Sequence, residues 1–552
     1  MHWTSPTATE GAEEKVTMPK TKANSAGSQT GPLNERAEVH KAIWKIADDL
    51  RGKVTGWNFM VYVLGTIFYR FISEKLECGM NEDQRQAGAG PDFSYGDLAD
   101  AAADKAKGVI LSKFGYYIPP SHLFRNVRRN ERDNPDLNIF FGDALAAIEE
   151  STKGSATEAD FKGLFAGLDF NNSQILGDTV PERNKYIVKI LDGIASMELG
   201  GFNEHSIDVF GDAYEFLMTM YASNAGKSGG EFFTPQEVSR LLARIATRGK
   251  KKVATVYDPA CGSGSLLMQV AKVVGKDKVT GGFYGQETEP TTHRLCRMNL
   301  FLHGISPHKF DIHKGDTLLA PSAYHQSLKP FEIIVSNPPY STKWDGDDNP
   351  LLVSDERFTP AGALAPKTKA DFAFIMHALS WLAPNGTAAI VCFPGIFYRG
   401  GAEQKIRKYL VENNFVDAVI DLPPNLFFGK NTIAVTILVL KRNKTNDNTV
   451  LFIDGKEQFV KEGNKNKLKA EHIDFIYRLY CERKEVPHLA AVVPFEKIEA
   501  EDFNLSVSTY VEPEDRREKV DVRKLNAEIA EIVKRENALR KAVDAFVKEY
   551  ES

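Results

Sequence analysis

Apolar positions change their period along the chain. From 38 to about 170 they recur at helical spacing. Ile43, Trp44, Ala47 and Leu50 trace one amphipathic helix, with Gly52 placed to end it, and Asn58 to Leu76 reads as a second, more buried helix. Breaks fall at Gly88 to Pro91, Pro119-Pro120 and Asn130 to Asn138. After about 205, a helix from Asp208 to Ala222 leads into a glycine-rich stretch, and short apolar runs then alternate with helical patterns. The expected strands are Val253–Tyr257, Gly282–Gly285, Phe331–Ser336, Thr387–Phe393, Val416–Asp421 and Ile433–Leu440. Such alternation predicts an α/β fold with a mostly parallel sheet and crossover helices.

The last stretch, about 519 to 547, is periodic again. Val522, Leu525, Ile529, Ile532, Leu539, Val543 and Phe546 step by three and four, broken only at Glu536. This is a coiled-coil pattern, and it predicts a helix that packs on its own domain or on a partner. Residues 1–37 are polar, small and proline-containing, and are expected to be disordered. The predicted division is thus a tail over 1–37, a helical domain over 38–170, an α/β domain over 171–490 and a C-terminal segment with a docking helix over 491–552.

Composition narrows the class. With 552 residues, 42% hydrophobic and 26% charged, the chain reads as a globular protein of more than one domain. Its net charge of −5 lacks the basic excess of a protein that grips nucleic acid alone, so any such grip needs local patches or a partner. Cys78, Cys261, Cys296, Cys392 and Cys481 are scattered without a CxxC pair, which predicts free thiols in a reducing cytoplasm and neither a disulfide framework nor a metal site. The most apolar run, Phe59 to Phe68, is too short to cross a membrane, and no secretory signal pattern opens the chain.

Candidate chemistry clusters in the α/β domain. Asp258-Pro259-Ala-Cys-Gly262-Ser263-Gly264-Ser265 follows a predicted strand and precedes a helix. Its glycines let backbone approach a ligand, and the helix start offers free N–H groups. A dinucleotide site would prefer a third glycine, but Leu266 and Leu267 follow. At the end of the next strand, Glu287 in Gly285-Gln-Glu can accept from both hydroxyls of a ribose. Asp316 in Gly315-Asp316 is a candidate for closing over an adenine. Asn337-Pro338-Pro339-Tyr340 follows the apolar strand Phe331–Ser336. An exocyclic amine is a poor nucleophile because its lone pair is delocalised. Two acceptors that pull its hydrogens, the Asn337 side-chain oxygen and the Pro338 carbonyl held by the rigid proline pair, would activate it. Tyr340 offers a face for an extruded base. Upstream, Glu231-Phe232-Phe233-Thr234-Pro235-Gln236 could wrap the methionine end of a cofactor. The neighbouring Gly226-Lys-Ser is no phosphate loop, since Tyr221 stands where that motif needs glycine.

The Asp-Pro-x-x-Gly-x-Gly form resembles the S-adenosylmethionine loop of methyltransferases. The order Phe-Thr-Pro, cofactor loop, Asn-Pro-Pro-Tyr resembles amino-methylating DNA methyltransferases, and more closely the modification subunit of type I restriction–modification systems. Further matching blocks are Leu50-Arg-Gly52, Asp212-Ala-Tyr-Glu-Phe216, Pro394-Gly-Ile-Phe-Tyr-Arg-Gly-Gly401, Leu422-Pro-Pro-Asn-Leu-Phe-Phe428 and Asp502-Phe-Asn-Leu505. The resemblance implies a Rossmann-like methyltransferase domain and transfer of a methyl group from S-adenosylmethionine to N6 of a flipped adenine in double-stranded DNA. Cofactor contacts would fall on Glu231 to Gln236, Ser263 to Ser265 and Glu287. It also implies two copies of this chain on one specificity subunit, with restriction subunits completing the assembly. Cys261 stands where the family often holds alanine. The alternatives are methylation of cytosine N4 or of a protein glutamine amide, or a non-catalytic scaffold.

Overall fold

The computed structural model describes residues 32–49, 56–197, 209–224, 234–427, 434–445, 447–463, 465–514 and 521–551. Leu50 to Gly52, the glycine-rich stretch at 226–230 and Glu231, Phe232, Phe233 and Phe428 lie outside them.

Eleven strands are described: β1 Val253–Asp258, β2 Val279–Glu287, β3 Phe310–Lys314, β4 Phe331–Ser336, β5 Leu382–Cys392, β6 Val416–Asp421, β7 Thr436–Lys441, β8 Val450–Asp454, β9 Val460–Glu462, β10 Lys465–Lys467 and β11 Ala490–Val493. Nine form one sheet in the order β11-β8-β6-β7-β5-β4-β1-β2-β3, and β9 and β10 form a separate hairpin. The pairs β1–β2, β2–β3, β1–β4, β4–β5 and β6–β8 are parallel; β7 runs antiparallel between β5 and β6, and β11 antiparallel to β8. The domain is therefore a Rossmann-like α/β fold, the class that the resemblance implied. All six expected strands exist, but β2 and β5 are longer than their apolar cores suggested and β7 is shifted to start at Thr436. β3, β8 and β11 were not expected. β3 reads Phe-Asp-Ile-His-Lys, and its position at the sheet edge leaves half of it polar.

Strand order reverses between β1 and β4, since the chain moves outward from β1 to β2 and β3 before returning to β4. In open α/β sheets, the crevice beyond the carboxyl ends at such a reversal is where ligands bind. The two strongest motifs leave these two adjacent strands at that end. Both faces of the sheet are covered: Val256, Ile333 and Val335 point into one apolar layer, and Tyr257, Phe331, Ile334 and Trp381 into the other.

The N-terminal helices belong to the first layer. The helix Gly56–Gln86 buries Leu64, Ile67, Phe68 and Ile72. In the helix Pro32–Asp49 the buried stripe is Val39, Ile43 and Ile46, whereas Trp44, expected on that face, is 47% exposed. The helix Val180–Ala195 opens on a capping box between Thr179 and Glu182 and packs against both. These helices meet the sheet domain through the helix Pro290–Leu302. There Phe301 lies 5.7 Å from Phe68 and 5.2 Å from Phe161, ring centre to ring centre. Buried Arg297 donates to the carbonyls of Ala159, Asp160 and Lys162 at 3.0–3.1 Å, which satisfies the end of the helix Glu158–Phe161.

The C-terminal helix spans Val522–Glu551, 30 residues with no buried side chain. Leu525, Ile529, Ile532, Leu539, Val543 and Phe546 are all exposed. Of the two expectations for this stripe, packing on its own domain is not what the fold does. No described helix is long and apolar enough to cross a membrane.

Candidate active site

β1 ends at Asp258, and the chain turns through Gly262 (φ +53°) and Gly264 (φ +78°) into the helix Ser265–Val274. Both backbones lie in the left-handed region that glycine favours. Gly264 is also fixed by crowding, because a Cβ there would stand 2.8 Å from the Cys296 Sγ. The loop is tied down from three sides. The Gly262 N–H donates to Glu287 Oε2 at 3.0 Å, the Cys261 N–H to the Gln286 carbonyl at 3.1 Å, and the Asn299 amide to the Ser263 carbonyl at 2.9 Å. Cys261 packs 3.8 Å from Cys296, sulfur to sulfur, both buried as free thiols.

Asp258 is fully buried. Its Oδ1 accepts from the Ala260 N–H at 3.0 Å, while Oδ2 finds no hydrogen-bond partner among the described residues. Burial, reinforced by the negative Glu287, pushes its carboxyl up to about 7, although the Ala260 N–H and the neighbouring Ser336 hydroxyl oppose the shift. An unpaired buried carboxylate oxygen is costly, and a cationic donor from a ligand would relieve that cost.

Glu287, at the end of β2, also accepts from the Glu289 N–H at 2.8 Å and stays half-buried, with lone pairs to spare. Burial raises its carboxyl, and the backbone bonds from Glu289 and Gly262 pull the other way. Its neighbour Gln286 is buried and bonds both ways across the crevice, donating to the Ala320 carbonyl at 2.9 Å and accepting from the Ser322 N–H at 3.1 Å. That pins the segment after β3, where Asp316 is exposed and caps the Leu318 N–H through Oδ1 at 2.8 Å. Asp258, Glu287 and Asp316 thus stand on or just beyond the ends of three adjacent strands. The combination of an orphaned acceptor, a ribose-type carboxylate and an exposed acid fits a positively charged nucleoside such as S-adenosylmethionine.

Asn337 follows β4. Its amide donates to the Thr234 hydroxyl at 3.0 Å, and its Oδ1 accepts the Tyr340 hydroxyl at 2.5 Å. The Phe-Thr-Pro and Asn-Pro-Pro-Tyr blocks, 103 residues apart, therefore meet through their side chains. Thr234 and Pro235 are buried just before the helix Gln236–Ala246, whose first residue is Gln236. Thr234, expected at the methionine end of a cofactor, also accepts from the Asn337 amide. Pro338 is buried and Pro339 exposed. The turn continues through Ser341 at φ +50°, whose N–H donates to the buried Asp371 carboxylate at 3.1 Å.

Sequence reasoning missed Gln286 as a tether, Asn299, Asp371, Arg357 and His377. His377 carried a faint signal, as a lone polar residue in the apolar run 372–379, whereas Arg357 sits among Ser354, Asp355 and Glu356 and carried none.

The sequence profile of the N-6 DNA methylase family matches residues 205–519, and that of the HsdM N-terminal domain matches residues 39–194. The chain is 48% identical over 529 residues to the methylase subunit of the type I restriction enzyme MpnII of Mycoplasma pneumoniae, covering 93% of this chain and 96% of that one. It is 33% identical over 477 residues to the methylase subunit of the type I restriction enzyme MjaVIII of Methanocaldococcus jannaschii, covering 84% and 76%. The crystal structure of a type I restriction–modification methyltransferase subunit from Streptococcus thermophilus superposes with a TM-score of 0.77 at 32% identity, covering 86% of this chain and all of that one.

Proposed function

This chain belongs to the N-6 DNA methylase family, and from that premise we propose how its residues divide the reaction. It is the methylase subunit of a type I restriction–modification enzyme and an adenine-specific DNA methyltransferase. Asn337 Oδ1 and the Pro338 carbonyl accept the two hydrogens of the target amine, and Pro339 keeps that carbonyl rigid. The Tyr340 ring stacks on the extruded adenine. The Tyr340 hydroxyl takes one of the two lone pairs of Oδ1, so the amine can use the other or displace the hydroxyl. Thr234 holds the Asn337 amide by its nitrogen and so keeps the oxygen turned toward the base.

S-adenosylmethionine, when bound, supplies an electrophilic methyl group. Asp258 Oδ2 suits its ammonium group, Glu287 its ribose hydroxyls and Asp316 its adenine amine. Pro259, Gly262, Ser263, Gly264 and Ser265 form the cradle. Pro235, Gln236 and, by adjacency, Glu231, Phe232 and Phe233 complete the methionine end. The observation that carries this reading is the junction of Thr234, Asn337 and Tyr340 beside an orphaned buried carboxylate at the strand-order reversal.

On the same reading two copies of the chain assemble with one specificity subunit and with restriction subunits on double-stranded DNA. The exposed apolar stripe of Val522–Glu551 is the surface that docks on the specificity subunit. Tail, helical domain, catalytic domain and docking segment divide near 37, 170 and 490, with the continuous helix Pro32–Asp49 favouring a first boundary before 32. Packing of the helix Val180–Ala195 favours moving the second boundary beyond 195.

The test is co-expression with a specificity subunit in a host lacking adenine methylation, followed by genome-wide mapping of modified bases. N6-methyladenine at one split target, absent with Asn337→Ala, supports the reading. Methylcytosine at that target, or no modified base from a complex that binds labelled cofactor, overturns it.

A further inference from the structure

Between Tyr340 and the helix Asp371–Trp381 the chain makes a closed excursion over residues 341–370. Its stem is shut by the Ala370 N–H donating to Thr342 O at 2.8 Å, the Trp344 N–H donating to Lys367 O at 2.9 Å, and the Ser341–Asp371 bond. This excursion begins at the target-amine motif, and Arg357 within it is buried and reaches the other half of the site. Its Nη1 donates to the Thr317 carbonyl at 2.8 Å and to His377 Nδ1 at 3.1 Å; Nη2 donates to the Leu318 carbonyl at 2.7 Å and to Asp355 at 2.7 Å; Nε donates to Asp355 at 3.0 Å. All five guanidinium hydrogens are used.

The partners outside the excursion lead to the cofactor side. Thr317 and Leu318 directly follow Asp316, and the Thr317 hydroxyl donates to the Pro259 carbonyl at 2.5 Å. His377, accepting from Arg357 at Nδ1, carries its proton on Nε2 and donates it to the Tyr257 hydroxyl at 3.0 Å, one residue before Asp258. Burial and the Arg357 charge hold His377 neutral, well below the usual imidazole range. One buried side chain therefore ties the excursion that starts at the target motif to both loops that face the cofactor.

We propose that Arg357 is a positioning residue that couples cofactor binding to target-base engagement: it touches neither ligand but locks the target-side excursion to the 316–318 and 257–259 segments. This rests on the functional reading above. A shift of either loop on binding is transmitted through this shared, fully bonded junction to the other side, and by linkage each ligand then changes the affinity of the other by the same factor.

The experiment measures S-adenosylmethionine affinity of the full chain with its specificity subunit, without and with a duplex that carries 2-aminopurine at the target position. The wild-type ratio of the two affinities is the coupling. In Arg357→Lys, which cannot serve the same fan of acceptors, the coupling falls toward one and the 2-aminopurine signal no longer responds to cofactor. Cofactor affinity in the absence of DNA drops by about tenfold or less. Asp355→Asn, which leaves the arginine but loosens it, lowers the coupling partly and decides the matter if Arg357→Lys does not fold. Wild-type coupling in a folded Arg357→Lys, or in Asp355→Asn where the lysine variant is lost, overturns the proposal. Failure of the wild type to bind cofactor at all would instead remove the functional reading, and this inference with it.

Discussion

The two halves of the site are built to different standards of rigidity. On the cofactor side, Gly262, Cys261 and Ser263 are tied through backbone groups to Glu287, Gln286 and Asn299, and a Cβ on Gly264 would strike Cys296. The loop is held in one shape by these bonds, and Asp258 beneath it is fully buried, so its Oδ2 meets a ligand only where the loop or its cover yields. On the target side the key acceptor is already occupied, because the Tyr340 hydroxyl sits on Asn337 Oδ1. The first half is preorganised and the second is closed upon itself. A small cofactor arrives by diffusion and gains from a finished cradle. A base must be pulled from a duplex at a cost of a few kcal/mol, so a site that opens only for it avoids an idle, solvated acceptor.

The largest expected effect separates chemistry from binding. Asn337→Ala removes one of two acceptors from the amine and should lower kcat by about 10²- to 10³-fold. Cofactor affinity, read by titration calorimetry, should stay near wild type, and a comparable loss of cofactor binding would erase the distinction between the halves. Next, Asp258→Asn should weaken S-adenosylmethionine by about 10- to 100-fold, the worth of a hydrogen bond to a charged group. An unchanged Kd would mean that Oδ2 does not face the cofactor.

The same residue gives a pH signature. The Asp258 carboxyl sits near 7, far above its value in an unfolded chain, so the fold favours its protonated form. Its contribution to stability without ligand is full below the ordinary carboxylate range and is lost as pH rises through about 7. If Asp258 receives the cofactor's ammonium group as proposed, binding needs the ionised form, and affinity should rise with pH by at most about tenfold per unit below 7 and level off above it. In Asp258→Asn that slope should vanish; its persistence would assign the titration elsewhere. The smallest effect is expected from Tyr340→Phe. It keeps the stacking ring and frees Asn337 Oδ1, so turnover should change by no more than about fivefold, the worth of one neutral hydrogen bond. A loss as large as that of Asn337→Ala would show that the hydroxyl acts in the reaction and not as a latch.

How much of this was legible in the sequence follows from range. The loop after β1, Glu287 after β2 and the motif after β4 could be read because each is a run of adjacent residues between a strand and a turn or helix. β3 was missed because Asp311, His313 and Lys314 dilute its apolar pattern at the sheet edge. β11 was missed because a strand as short as Ala490–Val493 has too few residues to establish a period, and β8 because 450–453 is a continuous apolar run without alternation. The pairing of Thr234 with Asn337 and the fan of bonds around Arg357 depend on which distant segments the topology brings together, and periodicity carries none of that. Trp44 was misjudged for a related reason: spacing gives the helix, but only the packed neighbours say which edge of a broad apolar stripe is covered.

The exposed helix Val522–Glu551 also bears on supply. At about 1.5 Å per residue it presents an uncovered apolar stripe roughly 45 Å long. A chain made in excess of its partner carries that stripe into the crowded cell, where such surfaces invite aggregation and proteolysis. On the proposed docking, abundance of the methylase would be metered by the subunit that covers the helix, and surplus copies would be the short-lived ones.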